Sequence, residues 1–298
     1  MNKNTTKYES HVTGMLMVLP TMIGLITLNI YPFFRTLWIS FHKSGSFGSW
    51  SFVGLQNYIN MLASDDFWEI TKNTLLFVLY TVPSTIILGL LLAVLLNQKL
   101  KGTTFFRMIY FLPMVVAPAA IAMVWKWMYN TDYGIINTIL GAIGLPNTIN
   151  WTTNPSTALL SCAIVAIWSA IGYDAILLLS GLQGISKVYY EAAKVEGATL
   201  FAQFRFITLP LVSPTLFFVI IMRMMASLKV FDIVYMMIAP TNPAIRSTET
   251  ILYAFYRQTF TMNNKGAGSV YVLWSVLIIA IFTIIQFIGQ KKWVTYDV

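Results

Sequence analysis

Two ionisable residues, Asp174 and Arg223, lie deep inside long apolar runs of the sequence. Moving a charge out of water is costly, so such a side chain is a candidate functional group. A carboxylate accepts hydrogen bonds from hydroxyl groups, and a guanidinium donates them. Three interpretations remain open: both residues contact a polar ligand, they form a buried ion pair with each other, or Arg223 extends toward a water-filled cavity.

The other reactive residue types do not indicate a catalytic or metal centre. The two histidines, His11 and His42, are far apart at the ends of apolar segments, and the single cysteine, Cys162, lies inside an apolar run. No Ser–His–Asp, paired-histidine or paired-carboxylate constellation is suggested, and the sequence lacks the G-x-x-x-x-G-K-[ST] motif of nucleoside triphosphate sites. We therefore expect no catalytic residue, metal ligand or cofactor in this chain.

The composition places these residues in a membrane. Of the 298 residues, 57% are hydrophobic and 10% are charged, whereas a soluble domain carries about 25% charged residues. A water-soluble fold of this size could not cover its surface with so few charges. The net charge of +8 comes mostly from basic residues at the ends of apolar segments, which is typical of membrane topology and does not indicate nucleic-acid binding. Membrane lipid is the expected surrounding.

Six apolar segments are long enough to position these residues within a bilayer, which needs about 20 helical residues per span. The sequence therefore predicts an all-α membrane protein with six transmembrane helices. Their predicted bounds are 14–41, 73–96, 105–128, 158–182, 209–228 and 269–289. Prolines inside these spans remove backbone donors and favour kinks. They are Pro20, Pro32, Pro83, Pro113, Pro118, Pro210 and Pro214.

The distribution of lysine and arginine predicts the orientation. The density of lysine and arginine is higher in every second connecting segment than in the segments between them. The basic segments are 1–13, 97–104, 183–208 and 290–298. Their basic residues are Lys3, Lys7, Lys99, Lys101, Lys187, Lys194, Arg205, Lys291 and Lys292. We expect these segments and both termini to be cytoplasmic. The domain prediction is a cytoplasmic N-terminus, 1–13, followed by one membrane domain, 14–298.

The residue pattern of the loop 183–208, between the fourth and fifth spans, predicts two short helices. Ser186 is a suitable N-cap for the first, and Gly197 stands where a helix C-terminus favours glycine. Apolar residues then recur at helical spacing: Leu200, Phe201, Phe204 and Ile207. Such a face must lie against the membrane domain or against a partner protein, so an interfacial linker helix and a docking element are both possible.

The residue order in this loop resembles the EAA loop of permease subunits of bacterial ABC importers. The matching residues are Glu191-Ala192-Ala193, Gly197-Ala198, Phe204, Ile207, Leu209-Pro210-Leu211 and Pro214, with Glu196 where the family usually has aspartate. Other matching segments are Phe52–Tyr58, Lys101-Gly102, Phe105-Phe106-Arg107, Phe111-Leu112-Pro113, and Phe231-Asp232 with Tyr235. The chain looks like the first permease of the maltose and glycerol-phosphate branch, although Pro240-Thr241-Asn242-Pro243 replaces the usual Gly-Gly-Pro.

This resemblance implies a type I ABC importer permease fold in a bacterial cell membrane. It implies that Glu191, Ala192, Ala193, Glu196 and Gly197 form the contact with an ATPase subunit. The implied partners are a second permease, two ATPase subunits and an extracytoplasmic solute-binding protein. ATP and magnesium would be bound by the ATPase, and this chain would be a non-catalytic membrane subunit.

The resemblance also implies a solute path, because the helices before and after the EAA loop line the sugar site in maltose-type relatives. The expected path residues are Trp168, Tyr173, Asp174, Arg223 and Ser227, with Tyr173 or Trp168 stacking on a sugar face. The expected function is sugar or oligosaccharide import by alternating access. Import of glycerol-phosphate or acidic oligosaccharides, which Arg223 would suit, is the alternative. Alternative functions of a different class are a membrane-embedded enzyme and a passive channel. A passive channel would have no use for a docking loop.

Overall fold

The computed structural model describes residues 3–45, 49–98 and 102–296. Lys99 and Lys101, which contributed to the predicted orientation, lie outside the described residues. The chain divides into two compact units, Met1–Ala63 with Phe255–Leu273, and Ser64–Ala254 with Trp274–Val298. Asp174, Arg223 and the loop 183–208 all belong to the second unit.

The first unit begins with a long helix and contains a small hairpin. Helix α1, a π-helical turn and α2 follow one another, and two short strands pair antiparallel, with Lys43 opposite Ser51. The bounds are α1 Lys3–Leu25, the π-helical turn Ile26–Ile30, α2 Tyr31–Ser40, β1 His42–Ser44, β2 Trp50–Phe52 and α3 Gln56–Leu62. The amide of Asn57 on α3 donates to the carbonyls of Ser40 and His42 at 2.8 and 3.0 Å, which fixes α3 against the end of α2.

The second unit holds most of the remaining helices. Their bounds are α4 Asp65–Leu96, α5 Thr103–Val115, α6 Pro118–Met128, α7 Ile135–Ala142, α8 Ala158–Gln183, α9 Lys187–Val195, α10 Leu200–Gln203, a π-helical turn Phe204–Thr208, α11 Leu209–Leu228, α12 Asp232–Met237, α13 Ile251–Tyr256, a π-helical turn Arg257–Thr261 and α14 Lys265–Trp293. The stretch Phe255–Leu273 is assigned to the first unit, so it contains the end of α13, the π-helical turn Arg257–Thr261 and the start of α14.

Within the described residues, five helical stretches are long and apolar enough to cross a membrane, and a bent helix pair makes a sixth if it counts as one span. The five are Thr13–Ser40, Asp65–Leu96, Ala158–Gln183, Leu200–Leu228 and Lys265–Trp293. The predicted class was an all-α membrane protein with six transmembrane helices. It is confirmed as a mostly helical chain with five candidate spans, or six if the bent pair is one, and the short β1–β2 hairpin is the one addition among the described residues. The predicted orientation of the termini stays a prediction.

The third predicted span, 105–128, is not one straight helix. The structure has two helices, Phe105–Val115 and Pro118–Met128, bent by 100°. Pro118 explains the break, because a proline disfavours helical conformation in the residue before it. Ala117 has ψ 134° and Val116 has ψ 138°, so both are outside the helical region.

The fifth predicted span, 209–228, also differs in extent. Helix α10, the π-helical turn and α11 form one helical stretch, Leu200–Leu228. The second half of the loop 183–208 is therefore the start of a membrane helix. The first half, α9, is a separate helix.

Helices α4, α8 and α11 pack closely, and small residues allow it. A Cβ placed on Gly89 of α4 would lie 3.2 Å from Cβ of Asp174, and one on Gly181 of α8 would overlap Thr215 of α11. Small residues at such crossings bring helix backbones together. The buried apolar residues around these crossings are Ala93, Leu96, Ala175, Leu178, Leu179, Leu182, Val212, Leu216 and Val219.

The start of α4 is tied to the segment before α13. Arg246 Nε lies 2.6 Å from Glu69 Oε2, and the amide of Asn73 donates to the carbonyl of Arg246 at 2.9 Å. The hydrogen bond to Glu69 and the nearby carboxylates raise the pKa of Arg246. The hydroxyl of Thr74 accepts from the backbone N–H of Ile251 at 3.0 Å. These contacts position the chain that follows α12.

Candidate functional site

Asp174 on α8 and Arg223 on α11 form an ion pair. Arg223 Nε donates to Asp174 Oδ1 at 2.8 Å. The Asp174 side chain is 1% exposed and that of Arg223 is 18% exposed. The other carboxylate oxygen, Oδ2, is buried and has no hydrogen-bond partner among the described residues. The pair thus links the two helices that flank the loop 183–208.

A cavity of about 290 Å³ lies beside this ion pair. Its walls come from α4, the α5–α6 break, α8, α11 and the start of the segment after α11. The lining residues are Phe77, Thr81, Thr85, Pro113, Met114, Val116, Pro118, Ile121, Ala166, Ser169, Ala170, Tyr173, Arg223, Ala226, Ser227, Val230 and Ile233. Most are apolar, with a few convergent polar groups, which is the usual composition of a small-molecule site.

The polar groups of the cavity lie on facing helices. Ser227 Oγ on α11 is 2.8 Å from Thr81 Oγ1 on α4, and the two hydroxyls share a hydrogen bond. The guanidinium carbon of Arg223 lies 5.8 Å from the centre of the Tyr173 ring, within cation–π range. The cavity therefore offers two aromatic side chains, Phe77 and Tyr173, one cation and several hydroxyls to a ligand.

The predicted path residues differ in their position relative to the cavity. Tyr173, Arg223 and Ser227 line the cavity. Asp174 does not belong to the lining and lies behind Arg223 as its partner. Trp168 does not line the cavity either: it is 44% exposed and packs edge-to-face on Trp125, with ring centres 5.5 Å apart. The geometry therefore leaves Tyr173 as the aromatic residue of the predicted set that faces the cavity.

Several lining residues were not identified from the sequence. Thr81 and Thr85 on α4 are four residues apart, so they share one helix face, and that spacing is a usable signal for a polar stripe. The wall formed by Val116 and Pro118 depends on the 100° bend, whose size no sequence pattern gives.

The predicted caps of α9 are present. The Ser186 hydroxyl accepts from the N–H of Val188 at 3.4 Å. Gly197 has φ +77°. The N–H of Ala198 donates to the carbonyl of Ala193 at 2.9 Å, and the N–H of Gly197 donates to the carbonyl of Lys194 at 3.0 Å. This pair of bonds is the Schellman motif, which favours glycine at its left-handed position. It ends α9 and reverses the chain toward α10.

The loop carries an exposed surface of mixed character. Glu191, Ala192, Glu196 and Gly197 are exposed, and Ala193 is half-buried. Large apolar side chains are exposed as well: Val195 is 90% exposed, Leu200 81% and Phe201 73%. Val195 ends α9, and Leu200 and Phe201 begin the helical stretch Leu200–Leu228. Apolar groups this exposed indicate a contact surface.

Known proteins resemble this chain over nearly its whole length. The trehalose/maltose transport system permease protein MalF of Thermococcus litoralis is 36% identical over 289 residues, which cover 96% of this chain and 97% of that protein. The lactose transport system permease protein LacF of Rhizobium radiobacter is 31% identical over 296 residues, or 98% of each chain.

A solved structure confirms the predicted importer permease fold. A chain of a bacterial alginate ABC transporter, crystallised in complex with an alginate pentasaccharide-bound periplasmic protein, superposes with a TM-score of 0.87. Its sequence identity is 20%, and the match covers 98% of this chain and 99% of that one. Residues 74–294 also match the family model described as binding-protein-dependent transport system inner membrane component. The chain therefore belongs to this family of ABC transporter permeases and is a multi-pass membrane subunit.

Proposed function

We propose that this chain is the permease of a bacterial ABC sugar importer and that a neutral sugar of one or two rings passes through the cavity beside Arg223. The observation that carries the proposal is the cavity itself, which lies between the helices flanking the loop 183–208. Its volume of about 290 Å³ is at the lower end of the range for ligand sites, roughly 300–1,000 Å³. The names of the relatives, which refer to trehalose, maltose and lactose, support a sugar of this size.

The charge balance favours a neutral solute over an acidic one. Arg223 is the cation of the cavity lining, and Asp174 already compensates its charge at 2.8 Å. A phosphate or uronate entering the cavity would find no uncompensated cation among the lining residues. A sugar hydroxyl can accept a hydrogen bond from Arg223 without displacing the carboxylate. The alternative of glycerol-phosphate or acidic oligosaccharide import is therefore less favoured.

The remaining polar groups suit a sugar ring. Tyr173 offers an aromatic face, and apolar C–H faces of sugars stack on such rings. The Thr81 hydroxyl donates to the carbonyl of Phe77 at 2.7 Å, so Ser227 donates to Thr81. The Ser227 donor can be turned to a sugar hydroxyl, and Thr81 can then accept from that hydroxyl. A ring between Tyr173 and the Ser227–Thr81 pair would satisfy both kinds of contact.

Transport requires coupling to an energy source, and α9 is the candidate element. With both termini cytoplasmic, α9 lies on the side where ATP is available. Docked ATPase subunits that bind ATP with different affinity in two conformations can shift the membrane helices between them. The expected assembly has a second permease, two ATPase subunits and an extracytoplasmic solute-binding protein. ATP and magnesium belong to the ATPase subunits.

The solute role is tested by uptake into proteoliposomes. The cognate solute-binding protein is first screened against neutral mono- and disaccharides and against glycerol-phosphate by thermal shift. The sugar that stabilises it is then used to compare wild type with Tyr173→Ala and with Tyr133→Ala, which changes a tyrosine that is 65% exposed and outside the cavity. We expect loss of uptake only for Tyr173→Ala. Stabilisation by glycerol-phosphate alone, or equal uptake by both variants, would contradict the sugar proposal.

The coupling role is tested by co-purification of the ATPase subunit. Gly197→Asp is expected to abolish it, because φ +77° strains any other side chain and the new carboxylate lies on the exposed surface of the loop 183–208, which is proposed to contact the ATPase. Gly144→Asp is the matched control: it has φ +79°, and, as at Gly197, no atom lies within 4 Å of the Cβ that a substitution adds. Retention of the ATPase by Gly197→Asp would argue for a passive channel or another docking site.

A further inference from the structure

Helix α11, which carries Arg223 and Ser227, directly follows the π-helical turn Phe204–Thr208. In this turn the N–H of Leu209 donates to the carbonyl of Phe204, five residues earlier. Such wide turns are rare and are frequent at functional sites. From Thr208 to Arg223 the helix extends about 22 Å, so a movement at the turn is carried toward the cavity.

A cluster of hydrogen bonds joins α9 to this turn. Tyr190 Oη on α9 lies 3.0 Å from Thr208 Oγ1 at the end of the turn. The Thr208 hydroxyl is also 3.4 Å from the carbonyl oxygen of Gln203, to which it donates, so Tyr190 can donate to Thr208. Thr208 and Gln203 are both buried.

The same cluster reaches the bend after α9. Gln203 Nε2 donates to the carbonyl oxygen of Ala198 at 2.9 Å. Ala198 follows Gly197, where the chain reverses in a left-handed conformation. The covalent route from α9 to α11 therefore passes through a glycine bend, while the Tyr190–Thr208 bond connects the two helices directly.

We propose that Tyr190 is a positioning residue that transmits movement of α9 to α11 through Thr208. This inference rests on the proposed function, in which ATPase subunits move α9. Tyr190 is half-buried and directed inward to Thr208, whereas its neighbour Tyr189 is 49% exposed. Without the Tyr190 hydroxyl, α9 can turn about Gly197 while α11 stays in place. ATP would then be hydrolysed with less solute moved.

The test measures solute taken up per ATP hydrolysed, using the full transporter with its solute-binding protein in proteoliposomes. We expect Tyr190→Phe to lower this ratio roughly 2- to 10-fold, the factor that a single neutral hydrogen bond contributes. Thr208→Val should lower it equally, and Thr208→Ser, which keeps the hydroxyl, should retain it. The double variant should be no worse than either single variant, because both remove the same bond.

The controls separate this inference from the proposed function. Tyr189→Phe removes a hydroxyl from the adjacent position of the same helix and should leave the ratio unchanged. Only complexes that co-purify with ATPase at the wild-type stoichiometry are compared, so a folding defect is not read as uncoupling. An unchanged ratio in Tyr190→Phe, or additive effects in the double variant, would overturn the inference alone. If the wild-type chain failed to retain ATPase subunits, the proposed function and the inference would both fall.

Discussion

Gly172 on α8 lies directly against the backbone of Tyr110 on α5. A Cβ placed on Gly172 would overlap the carbonyl oxygen of Tyr110. This contact adjoins the cavity, because Tyr173 follows Gly172 and Pro113 lies one turn beyond Tyr110, and both of these line it. The small residue lets α5 approach α8 just before the break that forms one wall of the cavity.

Gly172→Ala should therefore destabilise the chain and impair transport. The new methyl group must push α5 away from α8, at a cost of about 1–3 kcal/mol for an overpacked site. The thermal unfolding midpoint of the purified chain in detergent measures the first effect, and sugar uptake the second. Gly289→Ala is the control, since no atom lies within 4 Å of the Cβ that it adds. Equal midpoints for the two variants would contradict the close contact.

Asp174→Leu should leave the Arg223 cation without its partner. Breaking a buried pair from one side costs about 3–5 kcal/mol, an upper limit here because Arg223 reaches the cavity and retains some exposure. We expect a lower unfolding midpoint together with loss of uptake. A midpoint unchanged from wild type would mean that the pair contributes nothing to helix packing.

The double variant Asp174→Leu/Arg223→Met separates packing from solute contact. Replacing both members of a buried pair with apolar residues is often neutral or stabilising, so the midpoint should recover. Uptake should stay low, because the guanidinium that faces the cavity has been removed. Recovery of uptake together with stability would show that the pair only joins α8 to α11.

Part of this site could be predicted from the sequence because a charge in an apolar run is conspicuous. Asp174 and Arg223 were identified in this way, although the sequence left open whether they meet each other or a ligand. Trp168 was named with Tyr173 as an aromatic residue that would stack on a sugar, because both lie on the helix before the EAA loop. Trp168 lies five positions before Tyr173, which places the two about 140° apart around α8. The helical period thus already argued against a shared surface.

Other features depend on contacts that no local pattern encodes. The bond between Thr81 and Ser227 joins residues on α4 and α11, and nothing near either residue indicates the other. The break at Ala117 was predicted as a kink from Pro118, but its angle of 100° also depends on how α5 packs against α8. The caps at Ser186 and Gly197 were predicted correctly, because caps are local.

The Thr81–Ser227 hydroxyl pair provides a test of solute recognition with little effect on folding. Thr81→Val and Ser227→Ala each remove one partner of the hydrogen bond, at a cost of about 1 kcal/mol. We expect a raised KM for sugar uptake in both variants, with near wild-type midpoints. Thr27→Val is the control, since the Thr27 hydroxyl donates only within its own helix, to the carbonyls of Ile23 and Gly24. An unchanged KM would exclude these hydroxyls from the solute path.

Pro118 should hold the α5–α6 break open, and a distance measurement tests this. Spin labels at Phe106 and Trp127, both exposed, would be about 31 Å apart along a straight helix and closer in the bent pair. Cys162 is replaced by alanine so that only the two introduced cysteines react. In Pro118→Ala, Ala117 regains access to helical conformation, so a longer distance should gain population and uptake should fall. Pro83→Ala, on the unbroken α4, should leave the labels where they are. An unchanged distance distribution in Pro118→Ala would mean that the contact of α5 with Gly172 maintains the bend without the proline.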